Sequence, residues 1–187
     1  MKGGVRVLAV ASGPIYARRR KRTLIVGVVG RHGVVEGVLS GRVAVDGDDS
    51  SSAIASLFRK SRFRLQIRAI AVNGIATAGL NVIDVRELEH RTGVPVIILT
   101  RKKPDVPEFM KAISAYAKLD AAGAETKRAL VIATNKERKF SRVSGFNVQS
   151  SLDAAELKGI VPTAFELLRL AHMIANGTST GVSKGRI

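Results

Sequence analysis

Apolar residues recur with strand-like spacing from Val5 to Ala11 (VRVLAVA) and predict a first strand. Ser12-Gly13-Pro14 interrupts it, and Thr23 to Gly30 (TLIVGVVG) predicts a second. Arg31-His32-Gly33 has the composition of a tight hairpin turn. From it Val34 to Val45 returns as a third strand, with Gly37 and Gly41 as candidate bulges. Asp46-Gly47-Asp48-Asp49 turns the chain. Asp48 or Asp49 is placed to cap a helix over 50–61 that carries Ala53, Ile54, Leu57 and Phe58 on one face. Gln66 to Asn73 (QIRAIAVN) predicts a buried strand, and a glycine-bearing loop leads to a helix near 82–92. Asn81, with Asp84 three residues on, has the form of a capping box there, and Gly93 closes the helix. Pro95 to Thr100 (PVIILT) predicts the next strand. A helix follows over 105–121, then a strand over Ala129 to Thr134 and another over Arg142 to Gln149. Two helices, near 152–158 and 163–176, end the pattern.

The order is thus βββ-α-β-α-β-α with a further strand and helices. An antiparallel meander followed by right-handed helical crossovers builds a mixed sheet with helices on both faces. That α/β outline is the ribonuclease H-like architecture. At about 150 residues per domain, the 187 residues predict a single domain over 1–178, with 179–187 as a mobile basic tail.

Composition narrows the function. There is no Cys, so thiol catalysis, thiolate zinc sites and disulfides are excluded. Hydrophobic residues at 45% against 25% charged exclude a wholly disordered chain. The longest uncharged run, Ala69 to Ile83, is interrupted by Asn73, Gly74 and Gly79 and is too short and polar for a membrane-spanning helix. No signal-peptide pattern is present, which predicts a cytoplasmic protein. Two Gln and five Asn suggest a thermophilic source.

Charge is the dominant feature. Thirty-one Lys and Arg against fifteen Asp and Glu give a net charge of +16, which predicts a polyanionic partner, DNA or RNA. No acid precedes Glu36, and the run Arg18, Arg19, Arg20, Lys21, Arg22 concentrates five cations. A second acid-free stretch, Ser50 to Ile83, contains Arg59, Lys60, Arg62, Arg64 and Arg68. Both clusters are candidate phosphate contacts. Aromatics at 4% and the absence of Trp argue against a base-stacking platform.

Ordered strings along nearly the whole chain resemble an archaeal protein family related to endonuclease V. They are Val38-Leu39-Ser40 leading to Val45-Asp46-Gly47, Ser61-Arg62-Phe63 before Gln66-Ile67, and Gly79 to Asp84 (GLNVID). Thr92 to Ile97 (TGVPVI), Arg101 to Asp105 (RKKPD), Arg169 to Ala175 (RLAHMIA) and Gly185-Arg186 follow in order. The resemblance implies a ribonuclease H-like fold and, in relatives, cleavage of nucleic acid beside deaminated bases with Mg²⁺ or Mn²⁺. It also marks two departures. The family's first strand ends in Asp-Asp-Gly-Pro, where this chain reads Ala11-Ser12-Gly13-Pro14. The family carries Asp-Gly-Ile-Thr after its fourth strand, where this chain reads Asn73-Gly74-Ile75-Ala76. Both remove carboxylates that the resemblance assigns to the metal centre.

Two-metal phosphodiester hydrolysis needs several oxygen ligands converging at the strand ends. With those positions altered, Asp46, Asp49 and Asp84 are the remaining candidate metal ligands, Asp46 and Asp84 being the candidate catalytic pair. Each also has a structural role open to it, in a turn or a helix cap. Gly74, Gly79 and the loop between them admit backbone contact with a phosphate, or simply turn the chain, and there is no complete nucleotide-binding fingerprint. His172 falls on the apolar stripe of the last helix and reads as a core histidine; His32 and His90 suggest no site. Three functions stay open: a nucleic-acid-binding endonuclease V-like protein with an impaired metal centre, an active Mg²⁺- or Mn²⁺-dependent endonuclease acting at deaminated bases, and a basic structural subunit of a ribonucleoprotein.

Overall fold

The computed structural model describes residues 4–15 and 21–183. β1 (Arg6–Ser12), β2 (Arg22–Arg31) and β3 (Val34–Ala44) form the expected antiparallel meander. α1 (Ser50–Lys60) crosses over to β4 (Ile67–Asn73), which lies parallel to β1. A separate two-stranded ribbon, β5 (Ala76–Thr77) with β6 (Asn81–Val82), precedes α2 (Val85–Thr92) and β7 (Val96–Thr100), which is parallel to β4. α3 (Val106–Tyr116), α4 (Ala121–Glu137), the hairpin β8 (Ser141–Val143) and β9 (Phe146–Gln149), and α5 (Ala154–Thr180) complete the chain. The main sheet runs β3-β2-β1-β4-β7-β9-β8. Its meander followed by parallel crossovers is the mixed, ribonuclease H-like arrangement that the element order predicts.

Alternation along the central strands sends their side chains to two cores. Val7, Ala9, Ala11, Ala69 and Ala71 face α5, whereas Leu8, Val10, Ile70 and Val72 pack with Ile54 and Leu57 of α1 and Leu88 of α2. The row of alanines gives the α5 face a low relief, so a long helix can lie close against β1 and β4. α5 meets that face with a continuous stripe, Leu157, Ile160, Val161, Ala164, Leu167, Leu168, Ala171 and Ala175.

Several elements differ from the sequence reading. Ala129 to Thr134 is not a strand but the middle of α4, whose buried Ala124, Lys127, Val131 and Thr134 keep helical spacing. Asp120 starts that helix by accepting from the Gly123 N–H at 2.9 Å. The two expected C-terminal helices are one. Pro162 lies inside α5, and its cost of about 3 kcal/mol is outweighed by the unbroken apolar stripe and by the Asp153–Glu156 capping box. Residues 179 and 180, expected in the tail, belong to α5; 184–187 lie outside the described residues. The segment over 142–149 is a hairpin, turning at Ser144 and Gly145. A bulge falls at Glu36, because Val29 faces Gly37 while Gly30 faces Val35; Gly41 stays in register with Ile25.

Candidate nucleic-acid site at the ends of the central strands

β1 and β4 end side by side. Val10 is level with Val72, and one residue further on, Ala11 and Asn73 both line a pocket of about 490 Å³. Gly13 turns the chain out of β1 hard against α5. A Cβ there would press on Ser179 Oγ at 2.9 Å and on the Ala175 carbonyl at 3.2 Å. Ser12, Thr77, His172 and Asn176 supply the remaining polar lining. The Ser12 hydroxyl accepts from the Ala78 N–H at 3.1 Å, which ties the β5–β6 ribbon to the end of β1. Thr77 Oγ1 is buried without a hydrogen-bond partner. His172 is half-buried rather than a core residue, and its Nε2 lies 2.7 Å from Asn176 Nδ2. The helical spacing of His172 and Asn176 was visible in the sequence; that both look into the strand ends was not.

This donor set does not fit a two-metal centre. Ala11 offers a methyl group, Ser12 a hydroxyl already in use, and Asn73 a neutral amide; the pocket lining contains no carboxylate. Divalent hard cations need several charged oxygens at close range. Among the described residues, no three His, Cys, Asp or Glu side chains gather closely enough to hold a metal ion.

Asp46 and Asp84 meet elsewhere, in a neighbouring cavity of about 400 Å³ that Asp48, Glu87 and Asp120 also line. Asp46 holds a left-handed turn (φ 55°) and accepts from the Leu80 N–H at 2.8 Å. Asp84, not Asn81, is the N-cap of α2 and accepts from the Glu87 N–H at 2.9 Å. Asn81 is instead fully buried, donating to the Ala44 carbonyl at 2.9 Å and to Asp49 at 2.8 Å while accepting from the Ser50 N–H at 3.0 Å. Asp49 stands at the N-cap position of α1 but makes no side-chain cap. Its carboxylate accepts from Ala44 N–H, Asn81 and Arg22. Burial pushes its pKa up, but those hydrogen bonds and the Arg22 charge outweigh burial and hold it below the usual carboxylate range. Asp49 does not line the cavity that Asp46 and Asp84 share.

The second predicted basic cluster lies at the far end of β4 from the pocket. Arg59 and Lys60 end α1, and Arg62 and Arg64 precede β4, so all four sit where β4 begins. The pocket is where β4 finishes, seven residues on, about 20 Å away at 3.3 Å per residue. Arg18, Arg19 and Arg20 lie outside the described residues. Lys21 is exposed, and Arg22 is committed to Asp49 at 2.9 Å and to the Arg42 carbonyl at 2.9 Å. A third basic group, Arg101, Lys102 and Lys103, follows β7 at the pocket end and is exposed. In the sequence these residues stand out only as part of the family resemblance. Arg101 lies 5.0 Å over the ring of Phe165, which stacks on Phe146 at 4.2 Å. Lys102 and Lys103 border a second, mostly apolar cavity of about 350 Å³, lined by Phe109, Phe140 and the unpartnered hydroxyl of Thr100. That cavity shares Ala76 and Gly79 with the first.

The family model described as endonuclease dU matches residues 3–179. The chain belongs to that family. A UPF0215 protein of Methanothermobacter thermautotrophicus is 34% identical over 190 residues, covering 99% of this chain and 93% of the relative. One from Thermococcus sibiricus is 34% identical over 198 residues, covering 98% and 97%. A crystal structure of a protein of unknown function from Archaeoglobus fulgidus superimposes with a TM-score of 0.79 at 28% identity, over 91% of this chain and 96% of that one. The endonuclease dU match spans both strand ends, His172 and Asn176, so the whole pocket lies inside the family's domain. No helix among the described residues is long and apolar enough to cross a membrane.

Proposed function

We propose that this member of the endonuclease dU family binds DNA or RNA strands across the ends of β1, β4 and β7 without a working metal centre. The observation that carries this reading is a strand-end pocket with no carboxylate in its lining, bordered on the β7 side by the exposed cations Arg101, Lys102 and Lys103. Phosphates are held by such cations with release of counterions. The family's name, endonuclease dU, points to strands containing deoxyuridine. The apolar cavity beside Lys102 and Lys103, with its free Thr100 hydroxyl, has the character of a receptor for one unstacked base.

A second reading has one observation in its favour. Asp46 and Asp84 share a cavity, so an Mg²⁺- or Mn²⁺-dependent endonuclease could draw on them in place of the lost ligands. The deciding experiment incubates the protein with uracil- and inosine-containing single strands in Mg²⁺ and in Mn²⁺. The binding reading expects retention of the strand, steeply weakened between about 50 and 200 mM salt, and no cleavage. Cleavage abolished by Asp84→Asn, which keeps a capping oxygen on α2, would establish the second reading instead.

A further inference from the structure

The main sheet ends on β8 at one side and on β3 at the other. β8 is three residues long, whereas β3 runs for eleven and contains neither Lys nor Pro. Short length, lysine and proline are common devices that keep a sheet edge from pairing. The bulge at Glu36 disturbs only the start of β3, and from Gly37 to Ala44 its register against β2 is regular.

That register fixes which backbone groups point outward. The Val45 N–H donates to the Lys21 carbonyl at 2.9 Å, and Val43, Gly41 and Leu39 share its direction toward β2. Val38, Ser40, Arg42 and Ala44 therefore turn their N–H and C=O groups to the open edge. At Ala44 both are taken, the N–H by Asp49 at 2.9 Å and the carbonyl by Asn81 at 2.9 Å. The Arg42 carbonyl accepts from Arg22 at 2.9 Å. Among the described residues, nothing takes the Val38 and Ser40 groups or the Arg42 N–H.

The two faces of this edge differ in character. Val38 lies opposite Val28 of the α5 core, so its side chain is on the α5 side, where it is left 52% exposed. On the α1 side, Phe63 comes within 3.8 Å of where a Gly37 Cβ would stand, and the Arg62 guanidinium lies over its ring at 4.7 Å. Lys60 borders a cavity of about 220 Å³ together with Gly41 and Arg42. Arg59, Lys60, Arg62 and Arg64 are all exposed, and none forms an ion pair among the described residues. Leu65, 81% exposed, follows them directly in the chain. The one acid on the strand, Glu36, is already held by Arg6 and Arg31.

We infer that the outer edge of β3 is a docking site for an extended acidic segment of a partner protein, which joins the sheet as an added strand. Its backbone bonds to Val38, Ser40 and the Arg42 N–H supply the attachment, and alternation of its side chains supplies the selectivity. Apolar side chains on the α5 side cover Val38, and carboxylates on the α1 side meet Lys60 and Arg62. A nucleic-acid strand offers charge to these cations but no peptide ladder to the edge. A second copy of this chain offers the ladder. Pairing β3 with its own twofold mate, however, sets two groups of unpaired cations along one seam, between chains that each carry +16. The inference is independent of the nucleic-acid reading, and it gives a role to the basic cluster that lies away from the strand-end pocket.

The test uses the full chain and a short synthetic peptide of alternating Val and Glu, labelled with a fluorophore. This peptide should bind. The same peptide with Lys in place of Glu, or with every backbone amide N-methylated, should not. Hydrogen exchange followed by NMR should show the Val38, Ser40 and Arg42 amides protected roughly tenfold by the Val–Glu peptide. Ser40→Pro removes one outward donor at an edge position, where proline is tolerated. The pair Lys60→Glu, Arg62→Glu reverses the charge of the α1 side. Each variant should bind the Val–Glu peptide roughly tenfold more weakly, and the charge-reversed one should now accept the Val–Lys peptide. No binding of the Val–Glu peptide, equal binding of its N-methylated form, or unprotected edge amides would each overturn the inference. Displacement of the peptide by a single-stranded oligonucleotide would give the edge to nucleic acid and overturn it too. Protection of the same amides without peptide, rising with protein concentration, would give the edge to a second copy, with the same consequence. The exchange measurement on the unmodified chain decides the matter even if a variant misfolds.

Discussion

Glu36 shows how one inserted residue organises an end of the sheet. As the extra residue of the β3 bulge it receives two bonds from Arg6, at 2.5 and 2.7 Å, and one from Arg31 at 3.2 Å. The Arg6 hydrogen bonds above all, against an opposing desolvation effect, hold its carboxyl below the usual carboxylate range. A depressed carboxyl contributes stability that is complete above its unfolded pKa and is lost as pH falls through the folded one. Glu36→Gln should therefore cost about 2 kcal/mol near neutral pH, with the gap from the unmodified protein closing as the pH falls below the usual carboxylate range. Denaturant midpoints at the two pH values measure this; an equal gap at both would remove the ion pair as its cause. The pairing could not be read from the sequence, because Gly37 marks the bulge without saying which neighbour is the extra residue. Asp49 teaches the same lesson. Its position at the helix start was legible, but its carboxylate is diverted to Ala44, Asn81 and Arg22 by the return of the β5–β6 ribbon.

At the scale of elements, what a helix or strand packs against outweighed its local propensity. Ala129 to Thr134 is β-rich when read alone, yet it is bounded by a strong cap and good helix formers, and its buried positions recur at helical spacing. The basic clusters also have meaning only once their elements are placed. The cations after β7 lie at the strand ends with the pocket, whereas Arg59, Lys60, Arg62 and Arg64 lie at the start of β4. Replacing Arg101, Lys102 and Lys103 by Gln should weaken single-strand binding and lower the slope of log affinity against log salt by about 2, at 0.7 per lost contact. The matching replacement of Arg59, Lys60, Arg62 and Arg64 should change the slope far less. Salt titrations of the two variants compare the ends directly, and a larger loss from the α1–β4 group would move the interface to the opposite end.

For the molecule as a whole, a ligand that binds only the folded state raises its melting temperature. Without converging carboxylates at the strand ends, Mg²⁺, Mn²⁺ or a chelator should leave the melting temperature of this chain unchanged. The double variant Ala11→Asp, Asn73→Asp places two carboxylates beside one another at the ends of adjacent parallel strands. It should melt lower than the unmodified chain in chelator and recover part of that loss with Mn²⁺. Calorimetry with and without the ion reads both effects. Stabilisation of the unmodified chain by Mn²⁺, removed by Asp46→Asn, would instead place a working cation site in the Asp46–Asp84 cavity.

Alternation along the first three strands, the apolar runs of β4 and β7 and the order of elements between them were sufficient to determine the central sheet. Period-two burial and right-handed crossovers leave few other arrangements. The sequence also determined the excess of positive charge and the absence of acidic side chains at residues 11 and 73, since charge and residue type do not depend on folding. Only the tertiary structure decided that those two positions open into one pocket, and that His172 and Asn176, 99 and more residues along the chain from Asn73, complete it. Only it separated Asp49 from the cavity of Asp46 and Asp84, and one basic cluster from another. A local pattern fixes which face of an element is apolar. Which polar side chains from distant elements then meet depends on strand register, on how closely α5 can lie against the alanine row, and on where a loop returns, and those are properties of the packed whole.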